Sequence, residues 1–329
     1  MRNKAAAKTG PVTDLRSRNL RSVQLLAEDM LGRPTGGRLP TTIDYQQQLG
    51  VGSGTVQKAL AILENSGAVT LSRHGHLGTN LVERDEGLLW SMSGRNQVHL
   101  VMPMPGPIDH IALLHNVREQ LTRFNVPTGT HFKKGAATRA ELVADGDVDL
   151  ALMSRSAAKS LRPGLRRRTR TVDLGPNVYY TPGSLVVVSR LDGPKRPRKL
   201  KVAIDRSSHD HQALTEAEFP PGPKHTYVDC SYVGVLNAIH NGSVDVAIWH
   251  TTLVTIPLEG MGLTVRPLTA DKVDELVEGL SAAVFLLRKD DAALGSLLEN
   301  LNVEEIAQTQ EKLNELDRAD PTIIEYLGF

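Results

Sequence analysis

Three patterns of apolar and polar positions follow one another along the chain. From Asp14 to about Leu31, apolar residues (Leu15, Leu20, Val23, Leu26, Ala27 and Met30) return near every 3.6 residues, predicting an amphipathic helix with those positions mostly inward. Gly32–Arg38 breaks it. Thr41 and Thr42 then offer hydroxyls that can cap a short helix, which stops at Gly50. Ser53 can cap a second helix, with Val56, Ala59, Leu60 and Leu63 on one face and an end near Gly67. The period next drops to that of strands. Ala68–Leu71 and Thr79–Val82 are short β-prone runs joined by a tip holding Arg73, His74, Gly75, His76 and Gly78.

Helix, tight turn, helix and glycine-tipped hairpin make the order of a winged helix-turn-helix, whose second helix enters the DNA major groove. Leu39-Pro40, Leu49-Gly50-Val51, Thr55-Val56 with Ala59-Leu60, Gly67 before the wing and Gly78-Thr79 after it resemble the GntR family of bacterial transcription regulators. The resemblance implies DNA binding. On the second helix Ser53, Thr55, Gln57 and Lys58 would face the duplex: glutamine can read adenine, serine and threonine suit phosphates or bases, and lysine suits phosphate or guanine. The usual arginines at the start of that helix are missing, and Lys58 is its one cation. Thr41 and Thr42, with Arg73, His74 and His76 of the wing, complete the expected DNA-binding set.

From Val98 the chain alternates strand-like and helix-like stretches. Val98–Met102, His131–Lys134 and Val148–Met153 read as strands, separated by helices over Ile108–Phe124 and Thr138–Asp145. The same order restarts with strands Lys201–Asp205, Thr226–Asp229 and Val244–Trp249 around helices His209–Glu218 and Val233–His240. Glu141 to Leu152 lines up with Asn237 to Ile248, so that Gly146 matches Gly242 and Asp149 matches Asp245. Each glycine can stop a helix in the left-handed region, and each aspartate opens the next strand. A repeat about 96 residues long is too long for a solenoid and predicts two like α/β lobes. Ser184–Ser189 and Ala282–Arg288 are further apolar strands placed to cross between lobes. Helices are expected over Ala292–Leu301 and Val303–Leu316. Leu313, Leu316, Ile323, Ile324 and Leu327 would pack onto lobe one or, as the alternative, a partner subunit.

The "helix, Gly-x-x-Asp, apolar strand" element in both halves resembles the type 2 periplasmic-binding-protein fold used as an effector domain in regulators. A GntR-like head on such a body resembles the YhfZ group. The expected fold class is therefore α/β, with an N-terminal winged helix-turn-helix (residues 1–84, tail 1–13), a linker (85–97) and a bilobed domain (98–329). Lobe one would hold about 98–183 and 287–329, and lobe two about 184–286. Trp90 in the linker suits local packing, a contact of head with body, or a dimer interface.

Net charge changes the picture only when divided. Residues 1–84 carry eleven basic and six acidic residues, leaving 27 basic and 31 acidic for the rest. A basic head on a mildly acidic body suits a protein whose head alone meets a polyanion. The single Cys230 excludes an internal disulfide framework and points to a reducing cytoplasm. No apolar leader is read at the N-terminus. The most membrane-like stretch, Ile239–Leu258, is broken by His240, Asp245 and His250.

In two-lobed α/β bodies ligands sit at the carboxyl ends of strands, where helix N-termini favour anions. That rule nominates Met104, Gly106, Thr138, Ser154 and Arg155 from lobe one, and Ser207, Ser208, Ser231, Tyr232, Trp249 and His250 from lobe two. Arg155 would pair with a carboxylate or phosphate, or else serve a surface ion pair. His209, Asp210 and His211 read as a polar helix start rather than a metal site, since zinc needs three or four converging ligands. The five arginines of 162–170 read as a solvated loop, and Cys230 as structural. No nucleophile elbow, phosphate loop, dinucleotide fingerprint or zinc-protease motif is present. No cofactor is expected. The reading is a cytoplasmic, homodimeric regulator that binds double-stranded DNA and a small anionic effector. A metabolite-converting lyase or transferase with an autoregulatory head, or a DNA-bound scaffold with a vestigial cleft, are the alternatives.

Overall fold

The computed structural model describes residues 11–75, 78–193, 199–252, 257–269 and 271–319. His76, the first ten residues and the apolar end with Ile323, Ile324 and Leu327 lie outside them. The chain divides into two compact units. The first holds residues 1–97, 122–127 and 291–300; the second holds the remainder.

In the first unit, α1 (Pro11–Leu31), α2 (Thr42–Leu49) and α3 (Ser53–Asn65) precede the hairpin β1 (Val69–Arg73) and β2 (Thr79–Arg84). The core is Leu26, Met30, Tyr45, Val56, Leu63 and Leu81, all nearly or fully buried. Leu20 breaks the sequence pattern: it is 60% exposed. Thr41 caps α2 in a reciprocal box, accepting from the Asp44 N–H at 3.2 Å while the Asp44 carboxylate accepts from the Thr41 N–H at 2.8 Å. Gly50, at φ 63°, ends the helix in the left-handed region. Ser53 is not the cap of α3. Gly52 holds that position with no side-chain bond, and Ser53 is the first helical residue.

Helix α1 has no basic residue in its last turn, and β2 supplies one. Arg84 donates to the carbonyls of Met30 (3.2 Å) and Leu31 (2.9 Å) and to that of Arg33, satisfying oxygens that a helix end leaves unpaired. Residues 85–97 are not a bare linker, because α4 (Glu86–Met92) is capped by Asp85 through the Leu88 N–H. Trp90 is 2% exposed and donates to the Asn96 carbonyl at 3.1 Å, so it packs locally. Arg95 stacks on it at 5.2 Å, grips Asp291 at 2.9 Å through both nitrogens, and reaches Glu28 at 2.6 Å. This clamp ties α12 (Ala292–Glu299), which Asp291 caps, to the first unit.

The second unit contains two five-stranded sheets. The first, in spatial order, is β4 (Thr128–Phe132), β3 (Val98–Met102), β5 (Leu150–Ser154), β12 (Ala283–Arg288) and β6 (Thr169–Asp173). The second is β9 (His225–Asp229), β8 (Leu200–Ile204), β10 (Val246–His250), β7 (Leu185–Arg190) and β11 (Leu263–Pro267). Written this way the orders correspond strand for strand. In each sheet the fourth strand is antiparallel to the third and arrives from the other lobe. The predicted repeat is thus a repeat of topology.

The Gly-x-x-Asp tag explains itself at this level. Asp149 pairs its N–H with the His99 carbonyl (3.0 Å) and accepts the His99 N–H on its carboxylate (2.7 Å). Asp245 does the same with Lys201, at 2.8 Å for both bonds. Each aspartate therefore sets the start of two neighbouring parallel strands. Gly146 (φ 83°) and Gly242 (φ 76°) stop the preceding helices. The guanidinium of Arg288 or Arg190, the last residue of the fourth strand, lies over the corresponding glycine.

Between the strands run α5 (Ile108–Arg123), α6 (Ala136–Asp145), α7 (Arg155–Ser160), α9 (His209–Glu218) and α10 (Val235–His240). The arginine-rich stretch is not a loop: Pro163–Arg168 is helix α8, opened by proline in its first turn, and leads into β6. Asp271–Ser281 is α11, and Val303–Ala319 is α13. Leu313 of α13 packs on Ile108 and Ala112 of α5, whereas Leu316 is 38% exposed. Among the described residues no helix is long and apolar enough to cross a membrane.

Candidate nucleic-acid interface and ligand cleft

Helix α3 buries Val56, Ala59 and Leu63 and leaves Ser53, Gln57 and Lys58 exposed, with Thr55 half-buried. The face nominated for DNA is thus the free one. Two other nominees carry structural duties. Thr41 is exposed but occupied by its capping box, with Thr42 half-buried behind it. Arg73 is engaged through both terminal nitrogens by Glu64 of α3, one of these bonds measuring 2.9 Å. His74 is exposed and 3.1 Å from the Ser72 hydroxyl. Arg38, not nominated from sequence, is an exposed cation with its guanidinium against Gly78 of the wing.

In the second unit a cavity of about 220 Å³ lies between the lobes. Its floor and walls are mainly apolar, from Pro103, Met104, Pro107, Leu185, Leu214 and Ile248. Of the sequence nominees, Met104, Ser208, Ser231 and Tyr232 line it. Ser208 also caps α9 through the His211 N–H.

The other nominees sit elsewhere, each for a physical reason. Arg155 turns away and forms a two-pronged pair with Asp173 at 2.8 and 2.9 Å, the surface alternative. Ser154 is fully buried, capping α7 through the Ala157 N–H (2.9 Å) and donating to Asp210 (2.7 Å). Thr138 lies inside the first turn of α6, whose cap is Gly135. Ser207 donates its hydroxyl to Asp205 at 2.6 Å. Trp249 and His250 form a second layer: Tyr232 stacks on Trp249 at 4.4 Å, and Trp249 on His250 at 4.7 Å. Gly106 approaches this stack, and a Cβ there would lie 3.6 Å from His250 Nε2.

Four charged residues line the cleft, and none was nominated. Lys134 of lobe one bridges to Asp205 and to the Ser231 hydroxyl of lobe two, each at 3.2 Å. Asp205 is saturated, since it also accepts from the Ser207 N–H (3.0 Å) and the Tyr232 N–H (2.7 Å); these donors hold its carboxyl below the usual range despite burial. Arg139 of α6 is 3% exposed and locked by the carbonyls of Leu152 (3.1 Å) and Lys133 (2.9 Å). Asp210 of α9 is buried, and burial pushes its carboxyl up against the opposing bond from Ser154. Ser156 and His209, 3.1 Å apart, add a second contact between α7 and α9.

Burial keeps His110 and His211 neutral near pH 7. Burial, reinforced by the charge of Arg139, pushes His110 down to about 3, and neither ring nitrogen has a well-formed hydrogen bond. His211 is pushed down to about 4 by burial. The Asp205 N–H donates to its Nδ1 at 3.0 Å, so its proton sits on Nε2, 3.2 Å from the Ile248 carbonyl. The Tyr232 hydroxyl is buried without a well-formed partner. Cys230 is half-buried, its thiol raised first by burial and then by Asp205. Among the described residues no cluster of three or more His, Cys, Asp or Glu could hold a metal ion.

A sequence signal for Arg139 existed in hindsight: a lone arginine among apolar positions of α6, the inward face of an amphipathic helix. Asp210 and His211 gave none, because a polar helix start looks the same buried or exposed.

Comparison with known proteins places both parts. A helix-turn-helix domain family matches residues 34–81, coarser than the GntR-type assignment. The YhfZ C-terminal domain family matches residues 85–321. YhfZ of Escherichia coli (strain K12) is 31% identical over 278 residues, covering 84% of this chain and 88% of that protein. The crystal structure of YhfZ from Shigella flexneri is 27% identical with a TM-score of 0.53, covering 70% of this chain and 95% of that one. With a helix-turn-helix head and this two-lobed body, the chain belongs to the YhfZ family.

Proposed function

We propose that this protein is a cytoplasmic, homodimeric transcription regulator of GntR-like head type, which reads duplex DNA through α3 and senses a small anionic metabolite in the cleft. One observation carries the reading. A capped helix-turn-helix buries the apolar stripe of α3 and leaves Ser53, Gln57 and Lys58 facing solvent. In a helix-turn-helix it is the outward face of the second helix that enters the major groove, and among the described residues that face is unoccupied by neighbouring side chains of the head. Lys58 and Arg38 supply charge for phosphates, and Gln57 the amide that can read a base edge. In the cleft, lobe closure over a ligand would shift the population of one body conformation, and a dimer would pass this to two half-sites.

The test is an electrophoretic shift of duplex DNA from upstream of the protein's own gene, at graded salt. Retarded complexes that weaken steeply with salt, and more weakly still in Gln57→Ala, support the reading. Absence of a complex at low salt, or equal retention of the Gln57→Ala and Lys58→Ala variants, refutes it.

A further inference from the structure

We infer that the ligand of the interlobe cavity is a small organic monocarboxylate with an apolar body, its carboxylate held by Arg139. This rests on the sensing half of the function proposed above and names its chemistry. A guanidinium keeps its charge in proteins, and a buried charge without a counter-charge is costly. Arg139 is almost wholly buried, and it contacts no carboxylate at ion-pair distance among the described residues. The Leu152 and Lys133 carbonyls and the Tyr179 hydroxyl take only part of its five-donor set, which leaves further N–H groups for the cavity it lines.

The other charges cannot do this work. Asp205 is committed to Lys134 and three further donors from Ser207 and Tyr232. Asp210 spends an oxygen on Ser154 and reaches Arg139 only at longer range. Unlike the guanidinium, its carboxyl can relieve its own burial by holding a proton. One uncompensated cation therefore calls for one negative charge, which excludes phosphate dianions and dicarboxylates. His110, buried with both ring nitrogens free of well-formed bonds, and the unpaired Tyr232 hydroxyl offer neutral polar contacts in the same cavity. Ser208, His209 and Ser231 add polar edges, and the rest of the surface is mainly apolar. An apolar space of about 150 Å³ accommodates benzene, so about 220 Å³ leaves room for a ring or short branched chain plus a carboxylate.

The experiment is a thermal-shift and calorimetric comparison on the full chain with matched probes: benzoate, phenylacetate and isovalerate, their carboxamides, leucine and phenylglycine as zwitterions, succinate, and inorganic phosphate. At least one monocarboxylate is expected to bind at least about tenfold more tightly than its amide, the scale of a charge-assisted hydrogen bond. Arg139→Met, shown folded by circular dichroism, is expected to abolish that preference. Since the decisive pair is measured on the unaltered protein, misfolding of the variant leaves the result standing. Equal binding of acid and amide, tighter binding of phosphate, succinate or a zwitterion, or no monocarboxylate binding at millimolar concentration overturns the inference. The DNA shift without additive reports separately on the head, so loss of one half of the reading is distinguishable from loss of the other.

Discussion

Acid should loosen the second unit through His211, by an amount the structure sets. Its imidazole accepts the Asp205 N–H on Nδ1 and points its Nε2 proton at the Ile248 carbonyl, so the neutral form is fully used and the charged form is not accommodated. Burial lowers its pKa from 6.5 to about 4. A depressed histidine leaves the unfolded chain binding more protons than the folded one in the window between those values. Stability is present above pH 6.5 and is lost as pH falls toward 4. The slope is about 1.4 kcal/mol per pH unit, which integrates to about 2 kcal/mol between pH 7 and 5. That is a sizeable share of the roughly 5–15 kcal/mol that holds a domain folded. The assay is urea unfolding followed by circular dichroism at pH 7, 6 and 5, for the native chain and His211→Gln. The variant starts lower, because it disturbs two hydrogen bonds, yet should lose about 2 kcal/mol less over the range. Parallel stability curves for the two proteins would refute the reasoning. His110 and His250, pushed down to about 3 and about 4 by burial, add slopes of the same sign.

Other outcomes follow from single contacts. Thr41→Ala should cost the head about 1 kcal/mol by removing the side-chain arm of the capping box, the bond from the Asp44 N–H, read as a lower melting temperature of the helical signal. Asp149→Ala and Asp245→Ala should each destabilise by about 1–3 kcal/mol, leaving a strand N–H without its acceptor. Their similar cost, measured by urea unfolding, checks that the two tags do the same job. Gly87→Ala should destabilise by at least about 2 kcal/mol, because a Cβ there overlaps the Phe124 carbonyl oxygen; limited proteolysis near α4 would reveal it.

Much of this protein was determined by sequence alone, wherever the deciding interaction is local. The helix ended by Gly50, the hairpin with its glycine tip and the helix over His209–Glu218 stand where periodicity and capping put them. The duplicated Gly-x-x-Asp tag foretold two like lobes, because strand and helix order is written residue by residue. Tertiary structure alone decided the cleft. Whether Arg139 or Arg155 serves it depends on Asp173, which waits on β6 beside Arg155, and on the Leu152 and Lys133 carbonyls that turn Arg139 inward. The docking of 291–300 on the first unit likewise needed Arg95 and Arg84 in place. Such choices bring together charges distant in the chain. Their energy depends on which carboxylates and carbonyls share the burial, a quantity that no local pattern of residues contains.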